Sequence, residues 1–312
     1  MGMRIAIIGA GLTGLVAARR LAGDGHAVRL FDKGRGPGGR LSTRRIDGAT
    51  VDHGAPELHG ADGTGTAAGG DGAEGHTGLA RWMEAARGVE TPHGWIGVPT
   101  MSAVGKALAD GLDLTPGVEV AEIARDGESW RLDDLSGAVH GPFDRVIVTA
   151  PAPQAARLTG LDLSPARMVP QWTGILAFAA PLDAPDRILG GDVALALRMA
   201  ARPGRAAAEA WAVHMDPDWS EARVERERPE MAPVILDALA ELVGPLPEAT
   251  HAAAHRWRFA RTATPLGRPF AEDPTGTLLA GGDWALGPHA GHAVASGTAM
   301  AGAVLREPGA GG

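Results

Sequence analysis

The chain has no cysteine and no tyrosine, and its only lysines are Lys33 and Lys106. Without cysteine, disulfide bonds, thiolate catalysis, iron–sulfur clusters and zinc–thiolate sites are excluded. A cofactor tethered through sulfur is excluded for the same reason. Any redox chemistry of this chain must therefore come from a group held without a covalent bond to cysteine.

Three further absences concern where the protein resides and what it binds. No window approaches twenty uninterrupted apolar residues, so no segment is predicted to cross a membrane. No charged-then-apolar leader precedes the first predicted strand, so secretion is not expected. The net charge of −8 offers no basic excess for nucleic-acid phosphates. We therefore expect a soluble, cytoplasmic protein with no nucleic-acid, membrane or protein partner.

The first thirty residues are typical of a βαβ unit. Arg4–Ile8 is a short apolar strand, Leu12–Leu21 has apolar residues at helical spacing, and Ala27–Phe31 is a second strand. The motif Gly9–Gly14 (GAGLTG) separates the first strand from the helix, and Asp32 ends the second strand. Its glycines allow a tight turn, approach of a pyrophosphate and close helix–strand packing, while the acid binds ribose hydroxyls. This combination predicts a dinucleotide site whose phosphates lie at the helix amino terminus.

Three later motifs favour FAD over NAD. Arg35–Arg40 (RGPGGR) adds a second Gly-Gly step with flanking arginines, which a plain NAD dehydrogenase does not need. Val51–Ala55 (VDHGA) provides a small-residue step that suits a planar ring. Leu278–Trp284 (LLAGGDW) is a strand ending in Gly-Gly-Asp, and Ser296–Leu305 follows as a helix. The helix dipole would then favour a reduced flavin.

The remaining pattern predicts a second domain between about residues 161 and 255. A glycine-rich stretch from Gly60 to Gly78 has almost no apolar residues and is predicted to be a surface loop. The other predicted elements are a hairpin of Val118–Ile123 and Ser129–Leu132, the strands Asp144–Thr149 and Thr173–Phe178, and the helix Met231–Val243.

In order along the chain, GAGLTG, FDKGRGPGGR, DHGA, FDRVIVTAPAP, HRWRFA and GDWALG…SG resemble the renalase-like branch of the flavin amine oxidase superfamily. The resemblance covers nearly the whole chain, and HRWRFA and GDW point to this branch. It implies an α/β, two-domain FAD-binding fold: a Rossmann-like dinucleotide-binding domain and an α+β substrate domain with a mixed or antiparallel sheet. The expected FAD-binding domain comprises residues 1–58, 99–156 and 260–312, and the substrate domain residues 59–98 and 157–259.

The motifs and the resemblance together predict non-covalent FAD and no metal. The resemblance implies that Val120 meets the adenine through its backbone and that Ala150 and Pro151 lie near the pyrophosphate or ribose. The residues predicted to bind the cofactor are Gly9, Gly11, Leu12, Thr13, Gly14, Asp32, Lys33, Gly38, Gly39, Arg40, Gly54, Ala55, Val120, Ala150, Pro151, Gly282, Asp283, His292, Ala293 and Val294.

The HRWR segment is the predicted substrate wall. In a strand, His255 and Trp257 share one face, while Arg256 and Arg258 share the other. The first face suits stacking and hydrogen bonding to a dihydropyridine carboxamide, and the second suits a phosphate. We accordingly predict His255, Trp257 and Arg258 as catalytic residues.

The resemblance implies an oxidase whose substrates are small molecules, namely misreduced dihydronicotinamide dinucleotides. The oxidase takes hydride from them and passes the electrons to O2, which gives H2O2. Amine oxidases of the superfamily usually use a lysine and an aromatic cage, often of tyrosines, and this chain has no tyrosine and no lysine after Lys106. The alternatives are a flavin amine oxidase, a carbon–carbon desaturase, an NAD(P)-dependent dehydrogenase and a degenerate, non-catalytic flavin-binding protein.

Two departures from the family pattern bear on these alternatives. Pro56–His59 replaces a Gln-Tyr-Phe-Thr-like segment, which affects the expected substrate, and Gly291-His292 replaces a Glu-Gly step before the last helix. The histidines His53, His59, His289 and His292 are too irregularly spaced to predict a metal site.

Overall fold

The computed structural model describes residues 2–63 and 74–306, and strands and helices are numbered along the chain. Five parallel strands and one antiparallel edge strand form the larger sheet. In spatial order they are β17 (Phe270–Glu272), β18 (Leu278–Gly281), β11 (Arg145–Val148), β1 (Arg4–Ile8), β2 (Ala27–Asp32) and β7 (Asp113–Pro116). Because β17 alone is antiparallel, the segments after β1, β2, β11 and β18 emerge at one edge.

Both faces of this sheet are covered, as the continuous apolar run of β1 requires. Ile5 and Ile7 point into one core, and Ala6 and Ile8 into another. The first core is completed by α1 (Leu12–Gly23), α2 (Glu74–Ala85), α3 (Met101–Ala109) and α8 (Ala290–Leu305). The second lies under α4 (Ala152–Thr159), α7 (Asp283–Leu286) and an antiparallel sheet of β8 (Val120–Asp126), β9 (Ser129–Asp134) and β10 (Val139–Phe143).

The second large sheet is antiparallel and has five strands. In spatial order they are β13 (Arg187–Gly190), β14 (Val193–Arg198), β15 (Ala210–Met215), β12 (Arg167–Phe178) and β16 (Ala249–Thr264). Residues of β12 alternate between two cores, with Trp172 and Leu176 on one face and Ile175 and Ala177 on the other. Both faces of this sheet are therefore buried.

Different elements cover the two faces of the five-stranded sheet. The Trp172 face packs on α5 (Pro217–Glu221) and α6 (Arg228–Val243), and the Ile175 face packs on a hairpin of β3 (Thr43–Ile46) and β4 (Ala49–Asp52). The remaining elements are a hairpin of β5 (Val89–Thr91) and β6 (Gly94–Ile96) and a one-turn helix, Met199–Ala201. No helix among the described residues has both the length and the apolarity to span a bilayer.

The predicted strands and helices are present, with two corrections. The predicted loop Gly60–Gly78 overlaps α2, which begins at Glu74, and residues 64–73 lie outside the described residues. The buried anchors Leu79 and Met83 follow the glycine-rich stretch and stabilise a helix whose first turn lacks apolar residues. The last helix begins at Ala290, six residues before the predicted Ser296, because packing compensates for the low helix propensity of its glycines.

The boundaries of the two domains remain a prediction. Residues 59–98 were assigned to the substrate domain, yet Leu79, Met83, Trp95 and Ile96 share the core of β1 and α1.

A buried charged cluster joins the β3–β4 hairpin to the segment between β14 and β15. Asp52, at the end of β4, forms an ion pair with Arg205, and the side chains of both are fully buried. Arg202 lies 3.7 Å from the same carboxylate, which also accepts hydrogen bonds from the Thr43 hydroxyl and the Met101 backbone N–H. One carboxylate thus holds two arginines of the segment between β14 and β15 against the β3–β4 hairpin.

Replacing Asp52 with asparagine should lower the free energy of unfolding by about 3 kcal/mol, because two buried guanidinium groups lose their counter-charge. Urea unfolding monitored by circular dichroism measures this change. Glu225→Gln is the control, since it removes an exposed ion pair with Arg258 and should leave stability essentially unchanged. Equal effects of the two substitutions would contradict the importance assigned to the buried cluster.

Candidate cofactor and substrate site

The loop after β1 is held in place by the acid at the end of β2. The Asp32 carboxylate accepts hydrogen bonds from the backbone N–H of Ala10 and of Gly34, both at 2.6 Å. Gly9 donates to the Phe31 carbonyl at 2.8 Å, and Gly38 donates to the Ala10 carbonyl at 2.7 Å. Asp32 therefore joins the GAGLTG loop to the start of the RGPGGR segment.

The three motif glycines have different surroundings. Gly9 has a φ of 109°, a backbone conformation that residues with a side chain rarely adopt. A Cβ on Gly14 would lie 2.0 Å from the Gly9 carbonyl oxygen, so this glycine permits the helix to pack on the turn. A Cβ on Gly11 would meet no protein atom within 4 Å. Gly11 caps α1 without a side-chain hydrogen bond, and the first turn of α1 has no acidic residue, so its backbone N–H groups suit an anion.

Two motifs 243 positions apart meet in one ion pair. Arg40 donates to both carboxylate oxygens of Asp283, at 2.8 and 2.5 Å, and to the Ala260 carbonyl at 2.9 Å. Asp283 is 5% exposed, and Thr262 lies 3.5 Å from its carboxylate. The pair joins the RGPGGR and GGDW motifs to β16.

The segments around the carboxyl ends of β2 and β11 carry several other predicted residues. Lys33 lies 3.6 Å from the Glu119 carboxylate, and the Val118 N–H donates to the Asp32 carbonyl, which brings the start of β8 at Val120 close to Asp32. Trp284 donates from its indole to the Ala150 carbonyl at 3.0 Å. Pro151 follows immediately and is the N-cap residue of α4.

The amino terminus of α8 completes this edge. His292 accepts a hydrogen bond from the His289 backbone N–H at 3.2 Å, and Gly291 donates to the His59 carbonyl at 2.9 Å. Burial lowers the pKa of His59, His289 and His292. Within the described residues no group of histidines and acids is arranged to hold a metal ion.

The remaining predicted cofactor residues include buried apolar positions and tight glycine turns. Leu12, Ala293 and Val294 belong to the core around β1, and Thr13 is also buried. Because their side chains are buried, these four residues can contact a ligand only through their backbone atoms. Gly38, Gly39, Gly54 and Ala55 adjoin Arg40 or the GAGLTG loop, and Gly282 donates to the Ser296 hydroxyl.

The predicted substrate wall lies beside the DHGA segment. Ring centroids of His255 and Trp257 are 4.3 Å apart on β16. His53 stacks on Trp257 at 5.5 Å and meets His255 edge-on at 4.9 Å, and its carbonyl accepts the Trp257 indole N–H at 2.8 Å. His53 precedes Gly54, whose neighbour Ala55 donates to the Arg40 carbonyl at 2.7 Å. The wall is thus continuous with the Arg40–Asp283 pair.

Arg258 does not join this wall. It forms a bidentate ion pair with Glu225, at 2.7 and 2.9 Å, and Arg256 donates to the Val224 and Arg226 carbonyls. Alternation along β16 places both arginines on the face away from His255 and Trp257. The predicted phosphate contact of this face is replaced by contacts within the chain.

A cleft of about 700 Å³ opens at the wall. Its lining residues are Arg35, Ser42, Thr43, Arg44, Arg45, Ile46, Asp47, His53, His251 and His255. A second cleft of about 430 Å³, lined by Arg4, Asp113 and Phe143 among others, lies at the amino-terminal edge of the parallel strands. Ligands of parallel sheets bind at the carboxyl-terminal edge, so the first cleft is the candidate site.

The histidines of the wall are neutral near pH 7. Burial, followed by the charge of Arg44, lowers the pKa of His53 to about 4. Burial, followed by His53 and then by Arg228 and Arg44, lowers the pKa of His255 to about 4. Each neutral imidazole has one hydrogen-bond donor and one acceptor.

Sequence reasoning missed several residues of this region. The sequence singles out Asp52 and His53 only as members of the VDHGA motif, with His53 also rejected as a metal ligand, and it does not predict Arg44, Arg45 or Arg205. The signal available was the charged pair that directly follows RGPGGRLST, but the partner strand that brings it to the cleft cannot be read from local pattern.

The low pKa values predict a pH dependence of stability. Between about pH 4 and 6.5 the unfolded chain binds protons at His53 and His255 that the folded chain does not bind. The free energy of unfolding should therefore fall as the pH drops through 6.5, and this contribution should level off below about 4. Urea unfolding at a series of pH values should give a shallower slope for His53→Gln,His255→Gln than for the wild type. Parallel slopes would argue against the low pKa values.

Comparison with known proteins supports the fold. The family described as NAD(P)-binding Rossmann-like domain matches residues 7–67. A putative protoporphyrinogen oxidase from Exiguobacterium sp. 255-15 superposes with a TM-score of 0.71 at 13% identity, covering 97% of this chain and 99% of that one. A triple mutant of putrescine oxidase, made to redesign cofactor binding, gives a TM-score of 0.70 at 14% identity and the same coverage.

A sequence relative matches a short part of the chain. A 4,4'-diapophytoene desaturase of Staphylococcus aureus is 52% identical over 52 residues, which are 17% of this chain and 10% of the relative. The chain thus matches about a tenth of the length of that desaturase. The matched proteins are oxidoreductases, an oxidase and a desaturase among them. The predicted fold class, an α/β fold with a Rossmann-like dinucleotide-binding domain, is therefore confirmed.

Proposed function

We propose that this chain is an FAD-dependent oxidase that takes hydride from a small substrate, a misreduced dihydronicotinamide dinucleotide, and uses O2 as the final electron acceptor. The observation that carries the proposal is the wall of His53, His255 and Trp257, which adjoins both the cleft and the Arg40–Asp283 pair. The renalase-like branch is proposed on the same residues, since HRWRFA supplies His255 and Trp257 and GDW supplies Asp283.

The residues present fit a dinucleotide cofactor. Gly11 leaves the backbone at the α1 amino terminus open to a pyrophosphate, and Asp32 stands where an adenosine ribose is bound in such folds. Arg40 keeps its Nε–H and one Nη2 hydrogen without a partner among the described residues, so it can still contact an anion. FAD bound here would supply the two-electron acceptor and the reaction with O2.

The wall suits a dihydropyridine. Trp257 offers a flat apolar surface, and His53 supports the indole by stacking and by accepting its N–H. A neutral His255 can donate to the oxygen and accept from the nitrogen of a carboxamide. Loss of hydride from a dihydropyridine gives an aromatic pyridinium and needs no base on the protein, which suits a wall of poorly basic imidazoles. What the wall must supply is orientation.

The purified protein should be bleached quickly by misreduced dihydronicotinamides under anaerobic conditions, and slowly by primary amines. The physical reason is that the chain lacks the lysine and tyrosines of amine oxidation. Stopped-flow absorbance at the flavin band measures both reactions, and re-admitted air should restore the colour with formation of H2O2. Faster reduction by amines would overturn the proposal.

Gly11→Val should abolish FAD retention, because the added side chain would occupy the space through which a pyrophosphate approaches the backbone. No protein atom lies within 4 Å of that Cβ, so the fold should be preserved. Gly23→Val is the matched control in the same helix, since its Cβ is equally unobstructed. Flavin content per folded chain, measured after heat release, should be lost only in the first variant. Full occupancy in Gly11→Val would contradict the assigned cofactor site.

His255→Ala and Trp257→Ala should each slow flavin reduction at least about tenfold, as expected for loss of substrate orientation, with FAD content unchanged. Arg258→Ala should react like the wild type, because its side chain lies on the opposite face with Glu225. Stopped-flow rates normalised to bound flavin compare the three variants. An effect of Arg258→Ala as large as the other two would show that the face of β16 does not matter.

A further inference from the structure

The cleft beside the wall is positively charged in an acidic protein. Three of its lining residues are arginines, Arg35, Arg44 and Arg45, while Asp47 is the one carboxylate among the described residues that line it. The chain as a whole has a net charge of −8. His53 and His255 add no positive charge near pH 7, so the local excess comes from guanidinium groups. A cleft of this charge attracts anions.

Arg44 and Arg45 are also unpaired, unlike many other arginines of the chain. Arg40, Arg187 and Arg198 each bind a carboxylate at the contacts between elements. Between residues 2–63 and 74–306, the side chains of Arg44 and Arg45 have no ion-pair or hydrogen-bond partner, and both side chains are exposed. Their donors are therefore available to a ligand.

The position of these two arginines is fixed by the β3–β4 hairpin. Arg44 pairs with Val51 and Arg45 with Thr50, so both lie in register with the strand that leads directly into His53. The end of that hairpin is anchored by the buried Asp52–Arg205 pair. The charge of Arg44 reaches both wall histidines, since it contributes to lowering the pKa of each. The arginines and the wall therefore border one cleft.

We propose that Arg44 and Arg45 bind a phosphate group of the substrate, so that the cleft selects phosphate-bearing dihydronicotinamides over uncharged ones. This inference rests on the proposed function, which supplies the ring held by the wall. Guanidinium groups offer planar, fork-like donors that match phosphate oxygens. As consecutive strand residues, Arg44 and Arg45 present these donors from the two faces of β3. The proposed phosphate site lies on β3, whereas the sequence pattern predicts phosphate binding by Arg256 and Arg258 of the HRWR segment.

The test compares Arg44→Gln,Arg45→Gln with the wild type, using three donors that carry the same dihydropyridine ring. These are a dihydronicotinamide dinucleotide, its mononucleotide and the phosphate-free riboside. Arg20→Gln,Arg157→Gln is the charge-matched control, because both of its positions are exposed helix residues outside the cleft. Assays at pH 8 keep His53 and His255 neutral in every variant.

For the cleft variant, KM for the two phosphate-bearing donors should rise roughly tenfold to a hundredfold, the loss expected for charged hydrogen bonds. KM for the riboside, the flavin content and all values of the control variant should stay unchanged. An equal rise for the riboside would overturn the proposal, because the arginines would then act on the ring. Loss of FAD from the cleft variant would also overturn it, since the arginines would then serve the cofactor.

A binding measurement separates this inference from the proposed function. Inorganic pyrophosphate titrated into the FAD-loaded protein by calorimetry should bind the wild type and the control variant, but not Arg44→Gln,Arg45→Gln. If no dihydronicotinamide reduces the flavin, the proposed function fails, while selective pyrophosphate binding would still support an anion site at Arg44 and Arg45. Equal binding to all three proteins, or no binding to the wild type, would overturn the anion site.

Discussion

The arrangement of the candidate site depends on the ion pair between Arg40 and Asp283. It joins a loop near the amino terminus to the last strand–helix unit, and a third bond from Arg40 reaches the backbone of β16. Because Asp283 is almost fully buried, removing either partner would leave a charge without compensation in a region of low dielectric. The geometry of this pair therefore constrains three separate segments at once.

The parallel sheet supplies the frame for this pair. Neighbouring strands that run in one direction end at the same edge of the sheet. The segments after β1, β2, β11 and β18 therefore meet at that edge. Asp32 then fixes the turn by accepting two backbone N–H groups. Glycine is required where a backbone atom is the neighbour, as at Gly14, and leaves room for a ligand where none is near, as at Gly11.

The wall of His53, His255 and Trp257 shows how burial changes the protonation of a histidine side chain. His53 and His255 are kept neutral chiefly because water is excluded from them, and Arg44 adds to the effect. Neutral imidazoles with so low a pKa are weak bases, and beside an indole they suit the proposed orientation of a planar ring. Charge is instead concentrated on the neighbouring hairpin, where Asp52 neutralises the buried Arg202 and Arg205. Arg44 and Arg45 border the cleft, and among the described residues their side chains have no partner, so they are available to an anion.

The sequence by itself determined the dinucleotide-binding unit, because a GxGxxG turn, a buried strand and a terminal acid are local features with local causes. It also determined that His255 and Trp257 share a face, since strand alternation follows from backbone geometry. Tertiary structure decided that Arg258, on the opposite face of β16, is paired with Glu225. It also decided that His53 packs on Trp257 and that Arg44 and Arg45 border the cleft. These outcomes depend on contacts between segments some 200 residues apart, such as His53 with Trp257. Such pairing leaves no periodicity in the local sequence, because the partner strand, and not the neighbouring residue, supplies the environment.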